Sequence, residues 1–276
     1  MNPPLSRYAG GKRHLLPQIM ALMPKEFEGI HEPYAGGAAL FWSLTSPEKP
    51  MPAILVDTNP FVVALYRGLK EDAEGVAAII KRFSEQEQHI DPADLRCFYN
   101  FVRETVNGMI GGPHHRSSAA RVLYLNRRCF NGLMRVNSRG EFNVPMGKWT
   151  GAPPALPTRQ EILDWGAALQ NADISDSRRQ PKAGWVYYAD PPYWNGFTQY
   201  TKTGFTWEDQ ERTALFADIA ARAEGAHVIV SNSDTPEIRA LYDDFTIHEV
   251  SRPGTVNSDG TKRARVGELL MVKEPR

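Results

Sequence analysis

The chain has 276 residues, 42% hydrophobic and 23% charged, which is enough for one large α/β domain or a core domain with a smaller insertion. Lys plus Arg and Asp plus Glu both number 32, so overall charge announces no nucleic-acid partner and any electrostatic footprint must be local. Two cysteines, Cys97 and Cys129, exclude a disulfide framework and a C-x-x-C metal pair and fit a reducing, cytosolic compartment. The first residues lack the apolar centre of a signal peptide, and no window approaches the roughly 18 apolar residues of a membrane span.

The first distinctive segment is Arg7-Tyr8-Ala9-Gly10-Gly11-Lys12. Its Gly-Gly-Lys is not a phosphate loop, because no glycine stands five places before Gly11 and Arg13 follows the lysine. Tyr8 is suited to pack on a cofactor and Lys12 to meet a carboxylate. The strand-like Gly29-Ile30-His31 leads into Glu32-Pro33-Tyr34-Ala35-Gly36-Gly37-Ala38, whose adjacent glycines let a ligand approach the backbone. This is not G-x-G-x-x-G, so a dinucleotide site is not indicated. Ala53-Ile54-Leu55-Val56-Asp57 reads as a buried strand ending in an acid. An acid there typically takes ribose hydroxyls, and a helix cap ahead of Asn59-Pro60 is the competing reading.

Residues 61–69 are spaced as a helix, and residues 71–130 are helical in pattern with few strand candidates. Arg135-Val136-Asn137-Ser138-Arg139-Gly140-Glu141-Phe142-Asn143-Val144 alternates about a Ser-Arg-Gly turn and predicts a β-hairpin. A Gly- and Pro-rich stretch over 146–154 reads as the linker back to the core. Beyond it lie three more apolar runs: Trp185-Val186-Tyr187-Tyr188-Ala189-Asp190, Ala226-His227-Val228-Ile229-Val230-Ser231 and Gly267-Glu268-Leu269-Leu270-Met271-Val272. A helix is expected over 207–223, with Thr206 as N-cap and Asp209 three residues on. Strands alternating with helices predict a doubly wound α/β domain. Residues 1–70 and 151–276 would form it, and residues 71–150 would be a helical insertion ending in the hairpin.

Asp190-Pro191-Pro192-Tyr193 directly follows a predicted strand, and ligands of open α/β sheets bind at the carboxyl ends of strands. Proline has no N–H, so the pair cannot extend a ladder and leaves a rigid turn with its carbonyls available. An aromatic amine is a weak nucleophile because its lone pair is delocalised. A carboxylate and a backbone carbonyl that each accept one of its N–H groups localise the pair and aim it at an electrophile. Tyr193 offers a flat face for an extruded base. An ordinary strand-ending loop is the competing reading. Residues 121–150 carry six basic residues (Arg121, Arg127, Arg128, Arg135, Arg139, Lys148) against the single acid Glu141. That is a local footprint for nucleic acid, and Arg suits bidentate reading of guanine; a solvated helix face is the alternative. A second basic stretch, residues 252–265, is expected to meet backbone phosphate through Lys262 and Arg263.

Seven segments in one order carry a resemblance. They are Arg7 through Lys12, Glu32 through Gly37, Val56-Asp57-Thr58-Asn59-Pro60, Asn131-Gly132-Leu133-Met134-Arg135-Val136-Asn137, Gly140-Glu141-Phe142-Asn143-Val144-Pro145-Met146-Gly147, Asp190 through Tyr193 and Ser231-Asn232-Ser233-Asp234-Thr235. In them the chain resembles the Dam-type (D12 class, α-group) N6-adenine DNA methyltransferases over nearly its full length. Tyr8 and Tyr34 stand where many members have Trp and Phe. The resemblance implies a Rossmann-like methyltransferase sheet with helices on both faces, plus an inserted helical target-recognition domain. It implies S-adenosylmethionine as methyl donor, held by Tyr8, Lys12, Glu32, Tyr34, Gly36, Asp57 and Asp190, with no metal. It also implies catalysis by Asp190, Pro191, Pro192 and Tyr193 on a flipped adenine of double-stranded DNA. Arg7 and Arg135 are expected near bases, and Phe130 as a wedge beside Asn131 and Leu133. Arg127, Arg128, Asn137 and Arg139 complete the expected DNA surface.

RNA or protein-glutamine methylation is disfavoured, since Asn is usual at position 190 in the protein-directed group. A DNA-binding protein that has lost catalysis is disfavoured by intact Asp190, Tyr193, Asp57 and Lys12. Zinc, deaminase and Ser-His-Asp chemistry lack their motifs.

Overall fold

Apolar runs that are buried on both faces become the interior of a parallel sheet, because only there can such a strand lose all contact with water. In the computed structural model, which describes residues 12–109, 116–195, 205–252 and 266–275, the expected runs do so. The strands are β1 (Ile30–Glu32), β2 (Ala53–Val56), β3 (Ala172–Ser175), β4 (Val186–Ala189), β5 (His227–Ser233), β6 (Thr246–Arg252) and β7 (Val266–Lys273). They form one seven-stranded sheet in the order β3-β2-β1-β4-β5-β7-β6. The pairs from β3 across to β5 are parallel, and β7 runs antiparallel to both β5 and β6.

The helices are α1 (Leu16–Ala21), α2 (Ala39–Leu44), α3 (Pro60–His89), α4 (Leu95–Met109), α5 (Arg116–Arg128), α6 (Arg159–Ala168), α7 (Trp207–Arg222) and α8 (Pro236–Leu241). They cover both faces of the sheet. Ile30, Ala53, Leu55 and Val186 share a core with residues of α3, α5 and α6, and Tyr188, Ile229 and Leu270 pack with α1 and α2. On the opposite face Tyr187, Val228 and Val230 meet Ala214, Ala217 and Ile238 of α7 and α8. The expected start of α7 is present, with Thr206 N and Oγ1 donating to Asp209 Oδ2 at 3.0 and 3.2 Å.

The middle of the chain is helical. Residues 61–69 are the opening of the much longer α3, which is interrupted at Asp72 (φ −151°, ψ 67°). The Asp72 carboxylate accepts from Gly75 N and from Arg116 NH1, both at 2.8 Å, and so caps the second half of the helix. The helical segment shares one apolar cluster with the sheet. The expected hairpin is present in reduced form, closed by a single bridge between Val136 and Phe142. Its backbone is held from α4 instead. Asn107 Oδ1 accepts from Phe142 N at 2.8 Å, Asn107 Nδ2 donates to Phe142 O at 3.2 Å, and Tyr99 donates to Val144 O at 2.8 Å. Among the described residues, no helix is long and apolar enough to cross a membrane.

Candidate active site

The chain reverses direction across the sheet between β1 and β4. It moves from β1 out to β2 and β3 on one side, and from β4 to β5 on the other. Neighbouring strands there leave a crevice at their carboxyl ends, the usual ligand position in such sheets. Three acids stand at that edge: Glu32 ends β1, Asp57 follows β2 and Asp190 follows β4. Asp57 holds the glycine loop, its Oδ2 accepting from Gly36 N and its Oδ1 from Asn59 N, both at 2.7 Å. Gly36 adopts φ 44°, a left-handed turn that favours glycine, and its carbonyl accepts from Tyr66 at 2.7 Å. Burial pushes the Asp57 carboxyl up to about 6, against the pull of its two backbone donors. Glu32 lies deeper, with Oε1 accepting from Phe41 N at 2.8 Å near the start of α2. Burial pushes it up to about 8; the Phe41 N–H opposes this and the Asp190 charge adds to it. Tyr34 shares a 2.6 Å hydrogen bond with Thr213 of α7 and meets Phe205 edge-on at 5.9 Å.

The loop after β4 is fastened at Asp190, Pro192, Tyr193 and Trp194. Asp190 Oδ1 accepts from Ser231 Oγ at 2.6 Å and pairs with Lys12 Nζ at 3.1 Å. Burial raises the Asp190 carboxyl above its ordinary range despite the Lys12 charge and the Ser231 bond. Lys12 Nζ also sits 4.2 Å from the centre of the Tyr193 ring. The Tyr193 hydroxyl donates to buried Glu268 Oε2 at 2.9 Å, and His14 Nε2 lies 3.7 Å from Glu268 Oε1. Gln210 Nε2 donates to Pro192 O at 2.8 Å, Asn232 Oδ1 accepts from Trp194 N at 3.0 Å, and Ser233 Oγ donates to Trp194 O at 2.8 Å. The Asp190 carboxylate therefore stands beside an anchored aromatic ring. Glu268, Gln210, Asn232 and Ser231 were not singled out as site residues from the sequence; Ser231 and Asn232 appeared only within a matching segment.

The segment expected to meet DNA is built differently. Phe130 is 50% exposed, and the chain turns behind it through two left-handed residues, Asn131 (φ 53°) and Gly132 (φ 65°). Phe130 N donates to Pro145 O at 2.9 Å, which ties this turn to the far side of the hairpin. Leu133 is half-buried against the core, and Asn59 Nδ2 donates to the neighbouring Met134 O at 2.7 Å. Arg135 Nε donates to Asn143 Oδ1 at 2.9 Å across the hairpin. Asn137 shapes the tip: its Oδ1 accepts from Arg139 N and Glu141 N at 2.9 and 3.0 Å. Arg139, with its side chain 77% exposed, pairs with Glu141 at 2.8 Å. Arg127 lies half-buried, its guanidinium 6.0 Å from the Trp165 ring.

One expected DNA contact is corrected by the structure. The Arg128 side chain is only 4% exposed. It makes a two-pronged pair with Glu87 of α3 (Nε to Oε1 2.7 Å, NH2 to Oε2 2.6 Å), and NH1 donates to Pro154 O. Its guanidinium is spent inside the protein, joining α5 to α3 and to the linker. Arg7, Tyr8, Lys262 and Arg263 lie outside the described residues.

The family of D12 class N6 adenine-specific DNA methyltransferases matches residues 8–255. The type II methyltransferase M1.LlaDCHI of Lactococcus lactis is 32% identical, over 97% of this chain and 94% of its own. The type II methyltransferase M.MjaIII of Methanocaldococcus jannaschii is 30% identical over 98% of both chains. The DNA adenine methylase of Vibrio cholerae is 31% identical over 98% of this chain and 95% of its own. The chain belongs to the D12 class N6 adenine-specific DNA methyltransferases.

Proposed function

We propose that the chain transfers a methyl group from S-adenosylmethionine to N6 of an adenine extruded from double-stranded DNA, at Asp190-Pro191-Pro192-Tyr193. The observation that carries this reading is the state of the loop. Asp190 Oδ1 is held by Ser231 and Lys12, and among the described residues no donor is bound to Oδ2, which would accept from an amine. Among the described residues no donor reaches the Pro191 carbonyl, whereas the Pro192 carbonyl is taken by Gln210. Two acceptors thus flank one position beside the Tyr193 ring, the pair an exocyclic amine needs. As positive charge builds on the nitrogen, Asp190 Oδ2 takes its proton, and burial, which raises this carboxyl, favours that transfer.

The edge of β1, β2 and β4 suits the donor, a molecule with a sulfonium, an ammonium and a ribose diol. When bound, it supplies an electrophilic methyl carbon. Asp57 keeps lone pairs beyond those used by Gly36 and Asn59 for ribose hydroxyls. Gly36 and Tyr34 border the same crevice, with Glu32 supporting the loop from beneath. Tyr8 would cover the ligand, and Lys12 would pass from Asp190 to the ligand carboxylate. Residues 71–150 would act as the target-recognition insertion of a catalytic domain made of 1–70 and 151–276. Phe130, Asn131, Leu133, Arg135, Asn137 and Arg139, with Arg127, would meet DNA from it, joined by Arg7 of the catalytic domain. The setting would be the cytoplasm, on DNA. Expression in a host without adenine methylation, followed by genome-wide mapping, should reveal N6-methyladenine at one recurrent sequence. Unmodified DNA would overturn the proposal in favour of a catalytically silent binding protein.

A further inference from the structure

Two buried amides join the loop after β4 to the elements beside it. Asn232 of β5 is 0% exposed and Gln210 of α7 is 1% exposed. Trp194 N and Ser233 N donate to Asn232 Oδ1 at 3.0 and 2.8 Å. Asn232 Nδ2 donates to Gln210 Oε1 at 2.9 Å, and Gln210 Nε2 donates to Pro192 O at 2.8 Å. The ends fix the direction of this relay. A backbone N–H can only donate, so Asn232 turns its oxygen to Trp194. A carbonyl can only accept, so Gln210 turns its nitrogen to Pro192. The two remaining atoms then meet as acceptor and donor, and reversing either amide would oppose like groups. Pro191 and Pro192 have no N–H of their own, so the loop cannot be fixed by its own backbone donors there.

We propose that Gln210 and Asn232 are positioning residues for methyl transfer: by holding Pro192 O and Trp194 N, the relay sets the spacing between Asp190 and the Pro191 carbonyl. This rests on the catalytic reading of the loop given above. Neither amide touches the amine, and both act through the backbone between them. A misplacement of about 1 Å in such an arrangement costs about 100-fold in rate.

Gln210→Glu keeps the shape and exchanges the donor to Pro192 O for an oxygen, and Gln210→Met removes both polar atoms. In the full-length protein at saturating DNA and methyl donor, Gln210→Met should lower kcat by about 10- to 100-fold, with KM for DNA within about threefold of the parent. A target-site 2-aminopurine should still brighten on binding, because the base still leaves the stack. The Gln210→Glu carboxyl can donate to Pro192 O only when protonated. Its kcat relative to the parent should therefore climb as pH is lowered from about 8.5 to about 6, while the Gln210→Met ratio stays level. A purely structural role would instead lower the melting temperature and leave kcat per folded molecule unchanged. A Gln210→Met kcat within twofold of the parent, or a pH-independent Gln210→Glu ratio, overturns the proposal. Asp190→Ala, assayed alongside, separates the two levels. If it is inactive while the Gln210 variants are normal, only the relay fails. If Asp190→Ala is active, the catalytic reading fails.

Discussion

The carboxyl edge of the sheet and the segment proposed to read DNA are built in opposite ways. At the edge, Asp190, Pro192, Tyr193 and Trp194 are each bound to a group on β5, β7 or α7. In the recognition segment, one bridge closes the hairpin, and helix α4 holds its backbone through Asn107 and Tyr99. Side chains at the edge face inward to one another, whereas Phe130 and Arg139 project into solvent. Chemistry needs fixed distances and gets them from strand ends. Reading needs reach and gets it from turns. Asn59 joins the two regions, its Nδ2 donating to Met134 O and its N to Asp57 Oδ1, both at 2.7 Å.

Four perturbations sharpen this contrast. The largest effect belongs to Asp190→Ala, which should cut methyl incorporation by about 1000-fold or more while DNA still shifts in a gel. Normal turnover would detach the chemistry from this loop. Next is Arg128→Ala. It leaves Glu87, whose side chain is 13% exposed and still accepts from Tyr124, without its cation, so chemical denaturation should report a loss of about 3 kcal/mol. If stability held and the salt slope of DNA binding flattened, Arg128 would belong to the DNA surface after all.

The edge should also carry opposed pH signatures. Asp57 and Glu32 have carboxyls raised in the folded state to about 6 and about 8, so the fold binds their protons more tightly than the unfolded chain does. Their contribution to stability is full at low pH and is lost as pH rises toward those values. Urea midpoints should fall between pH 5 and pH 8, and Glu32→Gln should flatten the trend. Methyl-donor affinity should move the other way. It should weaken as pH falls through about 6, by up to tenfold per unit, because a protonated Asp57 accepts ribose hydroxyls poorly. Calorimetric titration of Asp57→Asn should lose that dependence. The smallest stability effect belongs to Arg139→Ala, whose pair with Glu141 is exposed and screened by solvent. DNA binding should nevertheless lose about one unit of salt slope, and an unchanged slope would remove Arg139 from the interface.

Much of this was legible in the sequence because it is local. The runs at β2, β4, β5 and β7 are largely apolar, the Thr206–Asp209 cap lies within one turn, and the proline pair announces its loop. Strands β3 and β6 gave no such signal. β3 is broken by exposed Asp173, and β6 at the sheet's edge has only Ile247 and Val250 among polar Thr246, His248 and Glu249, too few for a run. Residues that act across distance were not legible either. Gln210 and Glu268 are polar side chains in amphipathic or apolar stretches, and only the fold brings them to residues 192 and 193. Arg128 looked like part of a basic surface because its partner Glu87 lies on another helix.

The meeting of β1 with β4 has a consequence for how the molecule assembles. β1 pairs with β2 nearby in sequence and β4 with β5, but the seam joins Ile30 to Val186. All of α3, α4, α5 and the hairpin lie within that closed loop. Long-range pairings, here β2 with β3 as well as β1 with β4, slow folding, so the local pairs β1–β2 and β4–β5 should gather before the seam shuts. A small molecule lying across the strand ends at this suture would act as a splint. At a hundredfold over its dissociation constant it would add about 2.7 kcal/mol to stability. The enzyme's last structural step and its first ligand-binding step would then be read from the same melting curve.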